Sequence, residues 1–216
     1  MLIQPITFIR LNSKRLPNKS ILELDGKKIS NYMIEKMSKV NNVATPIVYA
    51  SEDYLSNENL KYKFLKRPKK LDEDVLFNDL MKSAIAKIEA DFILFFCVTS
   101  PFIKVSTIND IIEKIKSKKY DSAFTAYEIK NFCWYEDQPI NYSLKRPIPP
   151  TQSLEPIICE TSGLYLFKKD LFLKSERRIG FKPFIKIVSQ IEGHDIDYPE
   201  DFEIAKALIK AGKVEI

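Results

Sequence analysis

Ile3-Gln4-Pro5-Ile6-Thr7-Phe8-Ile9 runs without a break into Arg10-Leu11-Asn12-Ser13-Lys14-Arg15-Leu16-Pro17-Asn18-Lys19. The first stretch is apolar and β-forming, and the second is polar and strongly basic. A buried first strand of an α/β sheet ends in this way, and ligands of open α/β sheets bind outside the carboxyl ends of the strands. Arg10, Lys14, Arg15 and Lys19 bring four cations to one loop. Asn12 and Ser13 favour a sharp turn and Pro17 stiffens it. The loop contains neither Gly-x-Gly-x-x-Gly nor a Walker lysine motif, so the two common phosphate loops are excluded. A basic surface loop with no ligand remains the plain alternative on charge alone.

Strand and helix patterns alternate along the rest of the chain. Residues 29–40 have helical spacing, 46–50 read as a strand, and Ser51-Glu52-Asp53 reads as a helix start. A short strand at 63–65 precedes a helix over 77–90. Phe92-Ile93-Leu94-Phe95-Phe96 is the most apolar strand and belongs in the middle of the sheet. A helix over 107–117 and strands over 121–126 and 162–167 follow. The alternation predicts a doubly wound, mainly parallel sheet with helices on both faces. With 216 residues, the chain is read as a single domain. Residues 127–161 break the pattern with Pro139, Pro147, Pro149, Pro150 and Pro156 among Trp134, Tyr135 and Tyr142. That segment is read as an excursion that covers the substrate or reaches a second subunit.

Composition narrows the function classes. The 45% apolar and 29% charged content is that of a folded globular protein. No apolar run approaches a bilayer span and the N-terminus lacks a secretory pattern, so a cytoplasmic protein with no membrane partner is expected. Cys97, Cys133 and Cys159 are odd in number and widely spaced, and His194 is the single histidine. Reduced thiols are expected rather than disulfides or zinc. A net charge of +5 from 34 basic and 29 acidic residues is too small an imbalance to indicate nucleic acid.

The partner of the basic loop lies far along the chain, at Asp195-Ile196-Asp197. In an extended segment alternate side chains share a face, so both carboxylates can approach one hard cation. Magnesium takes one or two protein carboxylates and completes its shell with phosphate oxygens and water. Glu200 and Asp201, after Pro199, suit the first turn of a closing helix instead. His194 is given no role.

Arg10, Ser13, Lys14, Arg15, Leu16, Pro17 and Lys19 match the phosphate loop of the acidic-sugar cytidylyltransferases, the family of the synthetases of CMP-sialic acid and related nonulosonic acids. The resemblance continues through Gly26-Lys27, Phe64-Leu65-Lys66-Arg67-Pro68, Thr99-Ser100-Pro101, Thr151 to Pro156, Ser162-Gly163-Leu164-Tyr165 and Asp195 to Asp201. It implies a nucleotide-diphospho-sugar transferase-like fold, a homodimer made partly by the excursion, and transfer of CMP from CTP to an acidic sugar with release of pyrophosphate. It further implies that Arg10, Asn12, Ser13, Lys14, Arg15, Lys19 and Arg67 hold the nucleotide. Lys14, Arg15 and Asp197 would carry catalysis, and Asp195 and Asp197 would hold Mg²⁺. Cys97, Lys145, Arg146, Gln152, Glu160 and Arg178 are the proposed acceptor contacts.

Departures from the family pattern bear on the acceptor. Cys97 stands where the family has glutamine, Ile103 where it has arginine, and Ser162 where it has asparagine. A different acceptor or triphosphate, or a nucleotide-binding homologue without catalysis, are the competing readings.

Overall fold

The opening apolar stretch forms the strand that organises the sheet. In a computed structural model of the chain, which describes residues 1–56, 58–72 and 75–214, seven strands make one sheet. They are β1 (Ile3–Phe8), β2 (Ile47–Ala50), β3 (Lys63–Lys66), β4 (Phe92–Phe96), β5 (Ser122–Ile129), β6 (Ile157–Lys168) and β7 (Pro183–Ile187). Their spatial order is β7-β5-β6-β4-β1-β2-β3. Neighbours run parallel except at β6, which is antiparallel to both β4 and β5. As expected, β4 lies at the centre, and all five of its residues are buried.

Side-chain alternation on the strands sends each set of apolar groups to a different face. Phe92, Leu94 and Phe96 join Leu164 and Leu166 beneath helices α1 (Ile29–Ser38) and α3 (Val105–Lys116). Ile93 and Phe95 join Tyr165 and Phe167 on the opposite face. There Met81 and Ile85 of α2 (Phe77–Ile85) and Phe172 of α4 (Lys169–Ser175) cover them. Helices therefore cover both faces, as the alternating pattern predicts. Burying an Ile or Phe side chain contributes about 1.5–3 kcal/mol, so both layers are needed to hold the central strands.

A third cluster anchors the functional edge. Leu24 and Ile29 pack with Phe102, Ile196 and Ala205, the last from α5 (Pro199–Lys210). Ile196 is completely buried, and its backbone N–H donates to the Thr99 carbonyl at 2.9 Å. The residue between the two aspartates thus pins that segment to the end of β4.

Four expectations are corrected. Ser51 to Asp53 do not start a helix; these residues bend and turn, with the Asp53 carboxylate accepting from the Tyr62 hydroxyl at 2.6 Å and the Leu55 N–H at 3.3 Å. α2 stops at Ile85 rather than continuing to 90. The strand expected over 162–167 is longer and antiparallel. Residues 127–129 and 157–161 of the excursion continue β5 and β6, paired through Ile129 with Ile157 and Tyr127 with Cys159. The remainder is an arm carrying a short hairpin, Trp134–Tyr135 against Gln138–Pro139. β7 and α4 were not anticipated.

Candidate active site

The basic loop leaves the end of β1 and is shaped by its own polar residues. Ser13 Oγ accepts from the Leu16 N–H at 3.4 Å, and the Asn18 N–H donates to the Leu11 carbonyl at 3.1 Å. Asn18 adopts φ 57°, in the left-handed region. Asparagine tolerates that region better than most residues, so the turn forms without a glycine.

A cleft of about 610 Å³ lies against this loop. Arg10, Asn12, Ser13, Lys14, Arg15 and Lys19 line it together with Cys97, Thr99, Ser162, Arg178, Asp195 and Asp197. The two distant motifs therefore meet. The Arg15 guanidinium grips Asp197 with both arms, Nη1 to Oδ2 at 2.8 Å and Nη2 to Oδ1 at 2.9 Å. The Lys19 ammonium contacts the same carboxylate. Burial opposes the charge of Arg15, but the Tyr198 hydroxyl and the Asp197 charge outweigh it and hold the guanidinium firmly cationic.

Asp195 sits differently. Its Oδ1 accepts from Thr99 Oγ1 at 2.6 Å and Ser100 Oγ at 3.1 Å. Burial, followed by the nearby Asp197 charge, nevertheless raises its carboxyl above the ordinary range. Two close carboxylates with one of them poorly solvated favour a divalent cation. Among the described residues, no group of three or more His, Cys, Asp or Glu side chains forms a cage. Two carboxylates alone fit magnesium, which retains water and phosphate ligands, better than zinc or calcium.

The helix that follows fixes Asp197 from the other side. Asp201 Oδ2 accepts from the Asp197 N–H at 3.0 Å and the Tyr198 N–H at 2.8 Å. This is the capping role expected of the acidic residues after Pro199. His194 Nε2 lies 2.8 Å from the Asp201 carbonyl, and its ring stacks 6.1 Å from Phe102.

Arg67 does not line the cleft. It is 1% exposed and donates from Nη2 to the Ile9 carbonyl at 2.9 Å, from Nη1 to the Tyr49 carbonyl at 3.2 Å, and from Nε to Asp72 Oδ1 at 2.9 Å. Arg67, expected beside the nucleotide, is instead buried beneath the loop with these three partners. Arg67 ties the ends of β1 and β2 to Asp72, whose carbonyl accepts from Asn12 Nδ2 at 3.3 Å. A planar, always-charged fork is suited to such a buried junction.

The acceptor candidates divide. Cys97 and Arg178 line the first cleft. Glu160 lines a second one of about 490 Å³, which shares Ser162, Asp195 and Asp197 with the first and adds Tyr127, Asn131 and His194. Lys145, Arg146 and Gln152 are exposed on the arm and line neither cleft. The Cys97 thiol is pushed up to about 11, by burial first and the Asp195 charge second, and lies 3.0 Å from Thr99 Oγ1. It is a protonated, weakly polar wall group, not a nucleophile.

Sequence reasoning gave no role to Thr99 and Ser100, which hold Asp195, or to Phe8, Phe77 and Phe95, which line the first cleft. The Thr99-Ser100-Pro101 motif directly after a central strand was an available signal for the first pair. The phenylalanines gave none, because an apolar residue in a strand (Phe8, Phe95) or at the start of an amphipathic helix (Phe77) reads as core.

Solved structures share this architecture. A CMP:2-keto-3-deoxy-manno-octonic acid synthetase complexed with CTP matches 98% of this chain and 100% of its own, with TM-score 0.72 at 16% identity. The 4-diphosphocytidyl-2C-methyl-D-erythritol synthase of Anaerococcus prevotii matches 97% of this chain and 96% of its own, with TM-score 0.70 at 15% identity. Identities this low establish the shared fold. A search of curated proteins found no match. The model of a family described as cytidylyltransferase matches residues 6–213, and with nearly the whole chain covered, the protein belongs to the cytidylyltransferase family.

Proposed function

We propose that the protein transfers CMP from CTP to a hydroxyl group of a sugar acid, with Mg²⁺, and releases pyrophosphate. The observation that carries this reading is the meeting of the Arg10–Lys19 loop with Asp195 and Asp197 in one cleft. A triphosphate needs several cations close together, and the transfer needs charge neutralised on the leaving pyrophosphate. Arg10, Lys14, Arg15 and Lys19 surround the triphosphate. Without it, Arg15 and Lys19 share the single Asp197 carboxylate, which leaves a net positive charge for the phosphates, so binding exchanges one set of ion pairs for another and keeps the loop ordered.

Asp195 and Asp197 are the residues that would hold a magnesium ion. Bound there, the ion supplies Lewis-acid stabilisation of charge on the phosphate oxygens. Thr99 and Ser100 orient Asp195, Asp201 orients the backbone of Asp197, and Arg67 sets the start of the phosphate loop. The acceptor hydroxyl oxygen forms its bond to the α-phosphorus while the bond from that phosphorus to the β-bridging oxygen breaks, and the hydroxyl proton passes to water. Holding both reactants in one cleft supplies much of the rate. Ser162, which lines both clefts, and Glu160, which lines the second, are acceptor contacts in this scheme. Lys145, Arg146 and Gln152 belong to an arm whose exposed Trp134, Leu144 and Ile148 suit a second copy of the chain.

The test is incubation of the protein with CTP, Mg²⁺ and pooled sugar acids, followed by mass spectrometry. A product heavier than one of the acids by a cytidylyl group is expected. Consumption of UTP, GTP or ATP with equal efficiency contradicts the assignment of CTP, and transfer only to neutral or phosphorylated sugars contradicts the acceptor class.

A further inference from the structure

We infer that Arg178 is the anchor for the acceptor's carboxylate and sets the preference of the site for an acid; this rests on the proposed transfer to a sugar acid. Every other cation lining the first cleft, among the described residues, comes from the Arg10–Lys19 loop. Arg178 enters between α4 and β7. It lies beside an apolar wall in which Phe77 and Phe95 are 5.0 Å apart and Phe8 and Phe95 are 5.2 Å apart, centroid to centroid. The cleft thus offers one set of cations suited to a triphosphate and one separate cation suited to a second anion.

The geometry of Arg178 is that of a prepared anion receptor. Its guanidinium carbon is 4.1 Å from the Tyr165 ring centroid and 5.2 Å from that of Phe77. The two rings hold the guanidinium at cation–π distance, and its fork of N–H donors is of the kind that grips a carboxylate in bidentate fashion. Glu160 Oε2 is 3.6 Å away, too far for a strong hydrogen bond. Glu160 also accepts from the Tyr165 hydroxyl at 2.5 Å. Glu160 is thus in a loose ion pair with the arginine and hydrogen-bonded to its ring platform, an arrangement that positions Arg178 and that a ligand carboxylate must share or displace. The Arg178 side chain remains 36% exposed, so a ligand in the cleft can reach it. Ordering this flexible side chain before the ligand arrives lowers the entropic cost of binding.

Position in the cleft also determines what a carboxylate there leaves for the rest of the acceptor. Phe77, Phe95 and the protonated Cys97 thiol form a surface of low polarity beside the arginine. An apolar edge of the acceptor fits that surface better than a fully hydroxylated ring face does, because hydroxyls buried there lose water without gaining partners. The acceptor class is a sugar acid with an apolar edge near its carboxylate.

The experiment compares wild type, Arg178→Gln and Arg178→Lys with a transferable sugar acid and with its primary amide. Expected for R178Q is a rise of about tenfold or more in KM for the acid, the loss accompanying removal of a charged hydrogen-bond partner. KM for CTP stays unchanged, and the preference of wild type for acid over amide disappears. R178K should recover part of that preference, since it keeps charge but not the fork. If acid and amide are discriminated as well by R178Q and R178K as by wild type, or if only the KM for CTP rises, the assignment is overturned while the transferase reading stands. A wild-type protein that transfers CMP to no sugar acid overturns that reading and the anchor together.

Discussion

The loop 10–19 and the arm formed by residues 130–156 are both irregular segments rich in turn-forming residues, but the loop carries four cations and no acid while the arm balances three cations with three carboxylates, and they stand in different relations to the rest of the molecule. Loop cations converge on Asp197, a residue pinned by the buried Ile196 and by the Asp201 cap. Lys145 and Arg146 of the arm line neither cleft, and the arm exposes Trp134, Tyr135, Leu144 and Ile148. Basic residues become a binding site where a rigid acidic partner and a sheet edge fix their positions. Where apolar side chains are exposed beside them, they belong to a surface seeking cover.

The sharpest way to break this contrast is Asp197→Asn. The substitution removes the carboxylate that organises Arg15 and Lys19 and half of the proposed metal pair. Cytidylyl transfer should fall about a thousandfold, while the melting temperature changes little because the carboxylate is near the surface. Unchanged turnover in a steady-state assay would separate the loop from the acidic segment and remove the basis of the contrast.

Arg67→Ala acts beneath the loop and not in it. A buried cation with carbonyl and carboxylate partners is lost, and a destabilisation of about 3 kcal/mol is expected in urea melts. A loss of CTP affinity with stability intact would mean instead that Arg67 reaches the nucleotide directly.

For the arm, Trp134→Ser combined with Leu144→Ser should weaken self-association by about one to two orders of magnitude, from the apolar area withdrawn. Light scattering at matched concentrations measures this. Monomers already present in the wild type at high micromolar concentration would contradict the proposed second copy.

The smallest effect concerns Thr99→Val. It removes a hydrogen bond that favours the ionised form of Asp195, whose carboxyl burial and Asp197 already raise. Protonation should then compete at higher pH, and the acid limb of the kcat/KM profile should move upward relative to wild type. A limb that stays in place or moves downward would show that Asp195 does not control it.

The contrast also explains what the sequence made legible. An apolar run passing abruptly into a basic loop identified β1 and its functional end, because strand burial and loop charge are local properties. Phe92 to Phe96 could be placed centrally for the same reason. Asp195 and Asp197 were readable through their spacing, with Pro199 separating them from the helix cap. Tertiary properties were not readable. The reversal of β6 leaves no trace in its alternation, and β7 has the half-exposed pattern of an edge, with Ile185 and Ile187 each 40% exposed. A lysine- and arginine-rich stretch gives no sign that Arg67 alone turns inward. Phe8, Phe77 and Phe95 looked like core because their own cluster is core on one side and cleft on the other.

Phosphorus NMR of the running reaction tests the central claim most directly, because it reports which phosphorus is attacked. With CTP, Mg²⁺ and a sugar acid, the three triphosphate resonances should decline together while those of pyrophosphate and of a new phosphodiester rise in equal amounts. Orthophosphate with CDP, or an unchanged triphosphate spectrum across the sugar-acid panel, would contradict cytidylyl transfer at this site.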